Sequence, residues 1–313
     1  MGYGALAEFP FWHILGAGSI GGLWAARLHQ AGRAPVMVLR HERLAEYQGL
    51  HIEQEGLIPV AAVSSATPTA DIKRLLVCCK STDTLAALSS MTRSIQEDTL
   101  IVLVQNGMGT YEQVCQRFPA NRILCGTTTH GAFRPAPFHI VPAGEGETLI
   151  GSLDSSEHPP PSLTAEIESL NCPGFVTRYV HPILPTLWRK LAINCAINPL
   201  TVRYQCRNGE LLNIPRARTE MAGICSEILA VSRALGRMEG IENLESIVTA
   251  VAHQTAANHS SMLQDVRAGR TSEIESITGY LCRIAQDCGI STPLNNALYQ
   301  EILTLQQTLP SPL

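Results

Sequence analysis

Short apolar runs alternate with helix-spaced segments through the first half of the chain. Phe11–Leu15, Pro35–Leu39, Leu75–Cys79, Leu100–Val104 and Arg122–Cys125 read as buried strands. Between them, Ile20–Ala31, Thr82–Thr92 and Thr110–Phe118 carry helical spacing. Continuous apolar strands separated by helices predict a mostly parallel sheet covered on both faces. From His130 to Pro161 proline and glycine become frequent, and Glu147–Ile150 reads as an antiparallel strand. A helix over Ser162–Leu170 and a strand over Phe175–Arg178 then close the sheet. After His181 the strand signals stop. Helical patterns run through Leu184–Ala196, Arg216–Leu235, Leu244–Ala257 and Glu275–Cys288, with one more after Pro293. The pattern predicts an extension over residues 1–12, an α/β domain over 13–180 and an all-α domain over 181–313.

Composition narrows the class of protein. A chain of 313 residues exceeds the usual size of one core, so two domains are expected. The net charge of -4, with no block of basic residues, leaves no footprint for nucleic acid. No basic and apolar leader opens the chain, and no apolar stretch is long enough to span a membrane. Ten cysteines raise the question of disulfides or zinc. They form no C-x-x-C pair, and Cys125, Cys195, Cys225 and Cys282 sit in apolar segments, so they read as reduced core thiols. Reduced thiols fit a cytoplasmic protein, and no metal site is expected.

The first chemical signal is Gly16-Ala17-Gly18-Ser19-Ile20-Gly21, a G-x-G-x-x-G placed after a strand and opening a helix. In that context Gly16 permits the tight turn and Gly18 lets backbone approach a pyrophosphate. Gly21 lets the helix pack on the strand, and the helix N-terminus faces the anion. An acid at the end of the second strand would favour NAD. This chain has Arg40 there, whose guanidinium suits a 2′-phosphate, so NADP(H) is the expected cofactor. Glu42 lies slightly later, and Arg43 reads equally as a surface residue. Lys80 and Asn106-Gly107-Met108-Gly109 follow two further strands, at the sheet edge where such folds bind ligands. Their plainer readings are a capping lysine and an Asn-Gly turn.

The second signal is Lys190, Asn194 and Asn198, spaced i, i+4, i+8 in an otherwise apolar helix. At ~100° per residue they fall within an arc of about 80°. Polar groups on a buried helix need partners, and a ligand along the stripe would supply them. The plainer reading is a narrow solvated stripe, which explains Lys190 well and the two asparagines poorly, because asparagine is a mediocre helix former. A lysine in a partly dry cleft has a lowered pKa and can give a proton to the alkoxide formed by hydride addition to a ketone. Farther on, Asn258 and Ser261 are candidate ligands for a carboxylate, with Ser260 or Ser261 alternatively a helix cap. Glu273 reads as a contact to the lysine or cofactor, or as a helix-end carboxylate.

From His13 to about Ile302 the chain resembles the ketopantoate reductase (2-dehydropantoate 2-reductase) family. The likeness rests on the glycine loop, Arg40, Lys80, Asn106-Gly-Met-Gly-Thr110, Gly126-Thr-Thr-Thr-His130, Leu187–Thr201, Asn208-Gly-Glu-Leu211 and Ser260–Asp265. The resemblance implies a Rossmann domain followed by a helical domain like that of 6-phosphogluconate dehydrogenase, with the active site between them. It implies NADPH-dependent reduction of ketopantoate to (R)-pantoate, on the route to pantothenate and coenzyme A. Apart from the resemblance, a monomer or homodimer is the expected assembly. By matching position, Lys190 would be the proton donor, and Asn106, Asn194, Asn198, Asn208, Asn258 and Ser261 would orient substrate. Arg40, Lys80, Asn106, Ala132 and Glu273 would serve the cofactor. Ser19-Ile20 departs from the commoner small-Leu pair, and Gly131 precedes Ala132 in a variable place. Another 2-keto acid as substrate is the neighbouring reading, and a noncatalytic NADP(H) sensor is the reading from another class. A sensor would not need Lys190.

Overall fold

A computed structural model describes residues 11–67, 72–153 and 159–308. Residues 1–10 of the expected extension lie outside the described residues. Trp12, counted with that extension, is core: its indole is 2% exposed and donates to Ser169 Oγ at 3.0 Å.

The chain divides into two compact units. One holds the residues up to Gln105 together with Thr110–Ile183, and the other holds Asn106–Gly109 with Leu184–Leu313. The first unit runs β1 (His13–Leu15), α1 (Ser19–Gln30), β2 (Val36–Leu39), α2 (His41–Leu44), β3 (Leu50–Ile52), β4 (Gly56–Ile58), β5 (Ala61–Ser64), β6 (Ile72–Val77) and α3 (Ser81–Ser90). It continues through β7 (Ile95–Leu103), α4 (Thr110–Arg117), β8 (Arg122–Thr128), β9 (Gly131–Ala136), β10 (His139–Gly144), β11 (Glu147–Gly151), α5 (Pro161–Glu168) and β12 (Val176–Tyr179).

The larger sheet has eight strands in the order β12-β11-β8-β7-β6-β1-β2-β5. All neighbours are parallel except β11 and β8, which pair antiparallel as the pattern predicts. Alternation along each strand feeds two cores. Ile14, Leu76 and Val102 face one side with Trp24 of α1, while Leu15, Leu75, Val77 and Ile101 face the other with Leu88 of α3 and Val114 of α4. Strand order reverses at β1, between β2 and β6, which makes the C-terminal end of β1 a topological switch point.

The sequence pattern does not predict the second sheet, β4-β3-β10-β9. Two of its strands have three residues each, and β10 carries Pro142 and Gly144, so no alternating run announces it. It rests on α1. A Cβ on Gly22 would lie 2.1 Å from Ile140 Cδ1, so glycine there lets the small sheet press against the helix.

The second unit is helical: α6 (Leu184–Tyr204), a 3-10 segment at Asn208–Asn213, α7 (Pro215–Ala234), α8 (Leu244–Gln254), α9 (Ser261–Arg267), a π turn at Glu275–Gly279 running into α10 (Tyr280–Asp287), and α11 (Pro293–Thr308). The pattern over Glu275–Cys288 predicts one regular helix; its first turn is instead π. The helix predicted over Leu184–Ala196 extends through Pro199 to Tyr204. Its Trp188, Cys195, Ala196 and Leu200 are in the core, and the Trp188 indole donates to Ser232 Oγ at 2.9 Å. Among the described residues no helix is long and apolar enough to cross a membrane. All ten cysteines are free thiols and none is exposed.

Candidate active site

In the first unit, the glycine loop lies at the switch point. Gly16 has φ +106°, a backbone conformation that favours glycine, and a Cβ there would sit 2.6 Å from the Cys79 amide nitrogen. At Gly21 a Cβ would fall 2.2 Å from Gly16 O. These two glycines are required by the fold itself.

Gly18 differs. Its φ of -75° and ψ of -177° suit any residue, and a Cβ would meet only Cys78 O, at 3.7 Å. Protein packing leaves that space open. Gly18 is also the N-cap of α1, with no side-chain cap bond and no acid in the first turn. A helix start without its own cap or acid suits an anion. This arrangement fits a pyrophosphate approaching over Gly18, flanked by Ala17, Ser19 and Ile20. Ala17 and Ile20 pack partly buried against the core, as does Ala132 of β9, which pairs with Pro142.

Arg40 and Lys80 occupy equivalent places, each following a strand next to β1 and capping the next helix. The Arg40 side chain is 67% exposed and lies 3.6 Å from Asp83 in the first turn of α3. An ion pair so exposed adds little stability, so its guanidinium can exchange partners cheaply. Glu42 lies in the first turn of α2 and is exposed.

In the second unit, α6 puts Lys190, Asn194 and Asn198 on one continuous helix. Lys190 and Asn194 are half-buried, and Asn198 is buried. Burial lowers the Lys190 pKa to about 8, and the nearby Glu273 carboxylate opposes that shift. Glu273 also accepts a 3.0 Å hydrogen bond from Asn106 Nδ2. Asn106, Lys190 and Glu273, far apart in sequence, therefore form one cluster.

Ser276 holds the Asn106 loop in place. Its hydroxyl donates to Glu273 O at 3.1 Å and lies 3.4 Å from Asn106 O, while its carbonyl accepts from the Met108 amide at 2.8 Å. Gly107, at φ +83°, would bring a Cβ within 2.3 Å of that carbonyl. The π turn is thus the seat of the loop. Nothing in the sequence marks Ser276 for this role, because the role exists only once the two segments meet.

A second cluster gathers Asn208 and Asn258. The Asn208 amide donates to Asn258 O at 3.0 Å, and its side chain donates to Thr255 Oγ1 at 2.9 Å. Asn208 Oδ1 is buried without a hydrogen-bond partner. An acceptor left so costs about 1–3 kcal/mol unless a ligand hydroxyl satisfies it. Ser260, not Ser261, is the N-cap of α9, accepting from the Leu263 amide at 3.0 Å, and it bonds Thr201 Oγ1 of α6 at 2.6 Å. Ser261 is left exposed beside it, as is Asn258.

The family model described as Ketopantoate reductase PanE/ApbA matches residues 12–155, and its C-terminal counterpart matches residues 182–306. A 2-dehydropantoate 2-reductase of Vibrio cholerae is 34% identical over 307 residues, covering 94% of this chain and 97% of that one. One from Escherichia coli O157:H7 is 35% identical over 294 residues, covering 92% and 93%. Among solved structures, a PanE/ApbA family ketopantoate reductase from Ralstonia eutropha superposes with TM-score 0.82 at 25% identity, covering 96% of this chain and 99% of that one. D-mandelate dehydrogenase, solved with NADH and anilino(oxo)acetate, shares the fold at TM-score 0.87 and 20% identity, covering 96% and 99%.

Proposed function

The chain belongs to the ketopantoate reductase family of oxidoreductases, and from that premise we propose that it reduces 2-dehydropantoate to (R)-pantoate with NADPH, in the route to pantothenate and coenzyme A. The observation that carries the reading is Lys190: a lysine on a buried helix whose pKa burial lowers to about 8, beside Glu273. Its pKa sits near working pH, where a general acid is most effective.

Residues 16–21 and the start of α1 would hold the pyrophosphate, and Arg40 and Lys80 the 2′-phosphate. Asn106, Ala132 and Glu273 would serve the rest of the dinucleotide. When bound, NADPH supplies a hydride to the C2 ketone. Lys190 Nζ holds the proton that the ketone oxygen takes up as the alkoxide develops. Glu273 keeps enough of Lys190 protonated for that transfer. Asn194 and Asn198 continue the polar stripe along the substrate, and the unpartnered Asn208 Oδ1 suits the substrate's hydroxyl. Asn106, Asn258 and Ser261 complete the orienting set, the last two toward the carboxylate. The ten free thiols suit a cytoplasmic enzyme, which we propose acts as a monomer or homodimer.

The test is NADPH oxidation with ketopantoate and a panel of 2-keto acids. Ketopantoate should give the highest kcat/KM. A different preferred acid would overturn the substrate, and no turnover on any would overturn the enzyme in favour of a sensor.

Two further outcomes are expected. Arg40→Glu removes a charge-assisted contact worth about 1.5–3 kcal/mol, so the KM for NADPH should rise about 10- to 100-fold. The KM for NADH should not rise. Equal changes for both cofactors would remove Arg40 from the 2′-phosphate site. Glu273→Gln keeps a partner for Asn106 and deletes the charge that holds the Lys190 pKa up. A general acid must be protonated, so activity falls as pH rises through its pKa. In Glu273→Gln that fall in kcat/KM should begin at lower pH than in the wild type, where it should be centred on about 8. An unmoved profile would break the link between the two residues.

A further inference from the structure

The small sheet of the first unit carries three metal-ligating side chains that the reductase chemistry does not use. In β3, Leu50 and Ile52 are fully buried, so His51 and Glu53 share the opposite face. β10 runs parallel to β3 with His139 opposite His51 and Ile140 opposite Ile52. Ile140 is buried against Gly22 of α1, which leaves His139 on the outer face with His51. Backbone bonds from the His51 amide to Phe138 O and from the Glu53 amide to Ile140 O, each 2.9 Å, fix the strands where these side chains arise.

The two imidazoles meet edge to face with centroids 4.5 Å apart. His139 Nε2 lies 2.7 Å from Glu53 Oε2. One ligating atom from each of the three residues falls within 4.8 Å of the other two.

We propose that His51, Glu53 and His139 bind a divalent transition-metal ion of the zinc class. Two imidazoles and one carboxylate suit zinc and its neighbours, whereas magnesium and calcium demand oxygen sets. Ligands about 2.0–2.2 Å from a tetrahedral ion stand roughly 3.3–3.6 Å apart. Side-chain rotations on this backbone need only bring atoms already within 4.8 Å of one another to that spacing. Binding exchanges the His139 Nε2–Glu53 Oε2 contact for bonds from both groups to the ion. His51 and Glu53 are exposed, so water can fill the remaining position. The ion clamps β3 to β10 across the sheet that rests on α1, the helix that opens at the glycine loop. Absence of a C-x-x-C pair says nothing about such a site, because its histidines come from separate strands.

The experiment must separate this site from the thiols, which also bind zinc. Co2+ titrated into the full-length protein is the probe. One equivalent should bind with a visible ligand-field spectrum and no thiolate-to-cobalt charge-transfer band, and Zn2+ should displace it. Outer-shell changes already weaken metal sites about 10–100-fold, so loss of a direct ligand should do at least as much. His51→Ala and His139→Ala should each weaken binding 100-fold or more, and Glu53→Gln 10-fold or more. Zn2+ should raise the Tm of the wild type but not of the His51→Ala/His139→Ala double variant. The metal-free Tm of each variant checks that it folds. No cobalt bound at 100 µM, a spectrum dominated by thiolate, or undiminished affinity in the double variant would each overturn the site. None of these readouts depends on ketopantoate turnover, so this proposal and the reductase reading fail separately.

Discussion

Lys190→Met is expected to lower kcat for ketopantoate by about 10²–10⁴-fold, the usual contribution of a positioned general acid, while making the protein harder to unfold. The two effects have one cause. Burial lowers the Lys190 pKa from 10.5 to about 8 in the folded chain, so charge at this position is disfavoured even with Glu273 nearby. A shift of that size corresponds to a cost on the order of 3 kcal/mol. The sign follows from proton binding. Between about pH 8 and 10.5 the unfolded chain holds the proton and the folded chain does not, so stability rises with pH across that window. Below about pH 8 both states are protonated and the full cost is present. Methionine fills a similar volume without charge, so at neutral pH Tm should rise by several degrees. Single-turnover NADPH oxidation and thermal melts check the two halves. Retention of kcat within tenfold would remove Lys190 as the acid. A fall in Tm with kcat lost would mean that the ammonium is a structural partner.

Gly18→Val and Gly21→Val should fail in opposite ways. The Gly21 Cβ would strike Gly16 O at 2.2 Å and Cys78 Cβ at 2.8 Å, both fixed parts of the strand-helix contact. Relieving that overlap costs about 3 kcal/mol or more, so Gly21→Val should melt far below the wild type. At Gly18 the backbone is extended and the nearest protein atom is 3.7 Å from a Cβ. Gly18→Val should therefore melt with the wild type and bind NADPH at least 100-fold more weakly, measured by calorimetry. Normal NADPH affinity in a well-folded Gly18→Val would show that no phosphate passes over this residue.

Parts of the molecule that repeat at fixed spacing are legible in the sequence. The glycine loop, the parallel strands and the Lys190–Asn194–Asn198 face each follow from one periodicity or one motif. Parts that arise when distant segments meet are not. Ser276 seats the Asn106 loop through one hydroxyl and one carbonyl, yet it lies in an ordinary helical pattern. Ser260 and Ser261 are interchangeable on paper. The backbone decides: Ser260 is extended at φ -60° and ψ 151°, so its hydroxyl caps the helix and Ser261 is left outward. The small sheet is hidden because strands of three residues fall below the length at which alternation can be recognised.

The segment Asn106–Gly109 belongs to the helical unit although β7 and α4, on either side of it, belong to the other. This limits how the gene can be recombined. A chimera crossed over after residue 183 would take Gly107 from one parent and the Ser276 carbonyl against which it packs from the other. Parents that differ at either place would meet a steric mismatch inside the helical half. Grafting residues 106–109 along with 184–308 keeps the matched pair together, so the interchangeable piece of this enzyme is discontinuous.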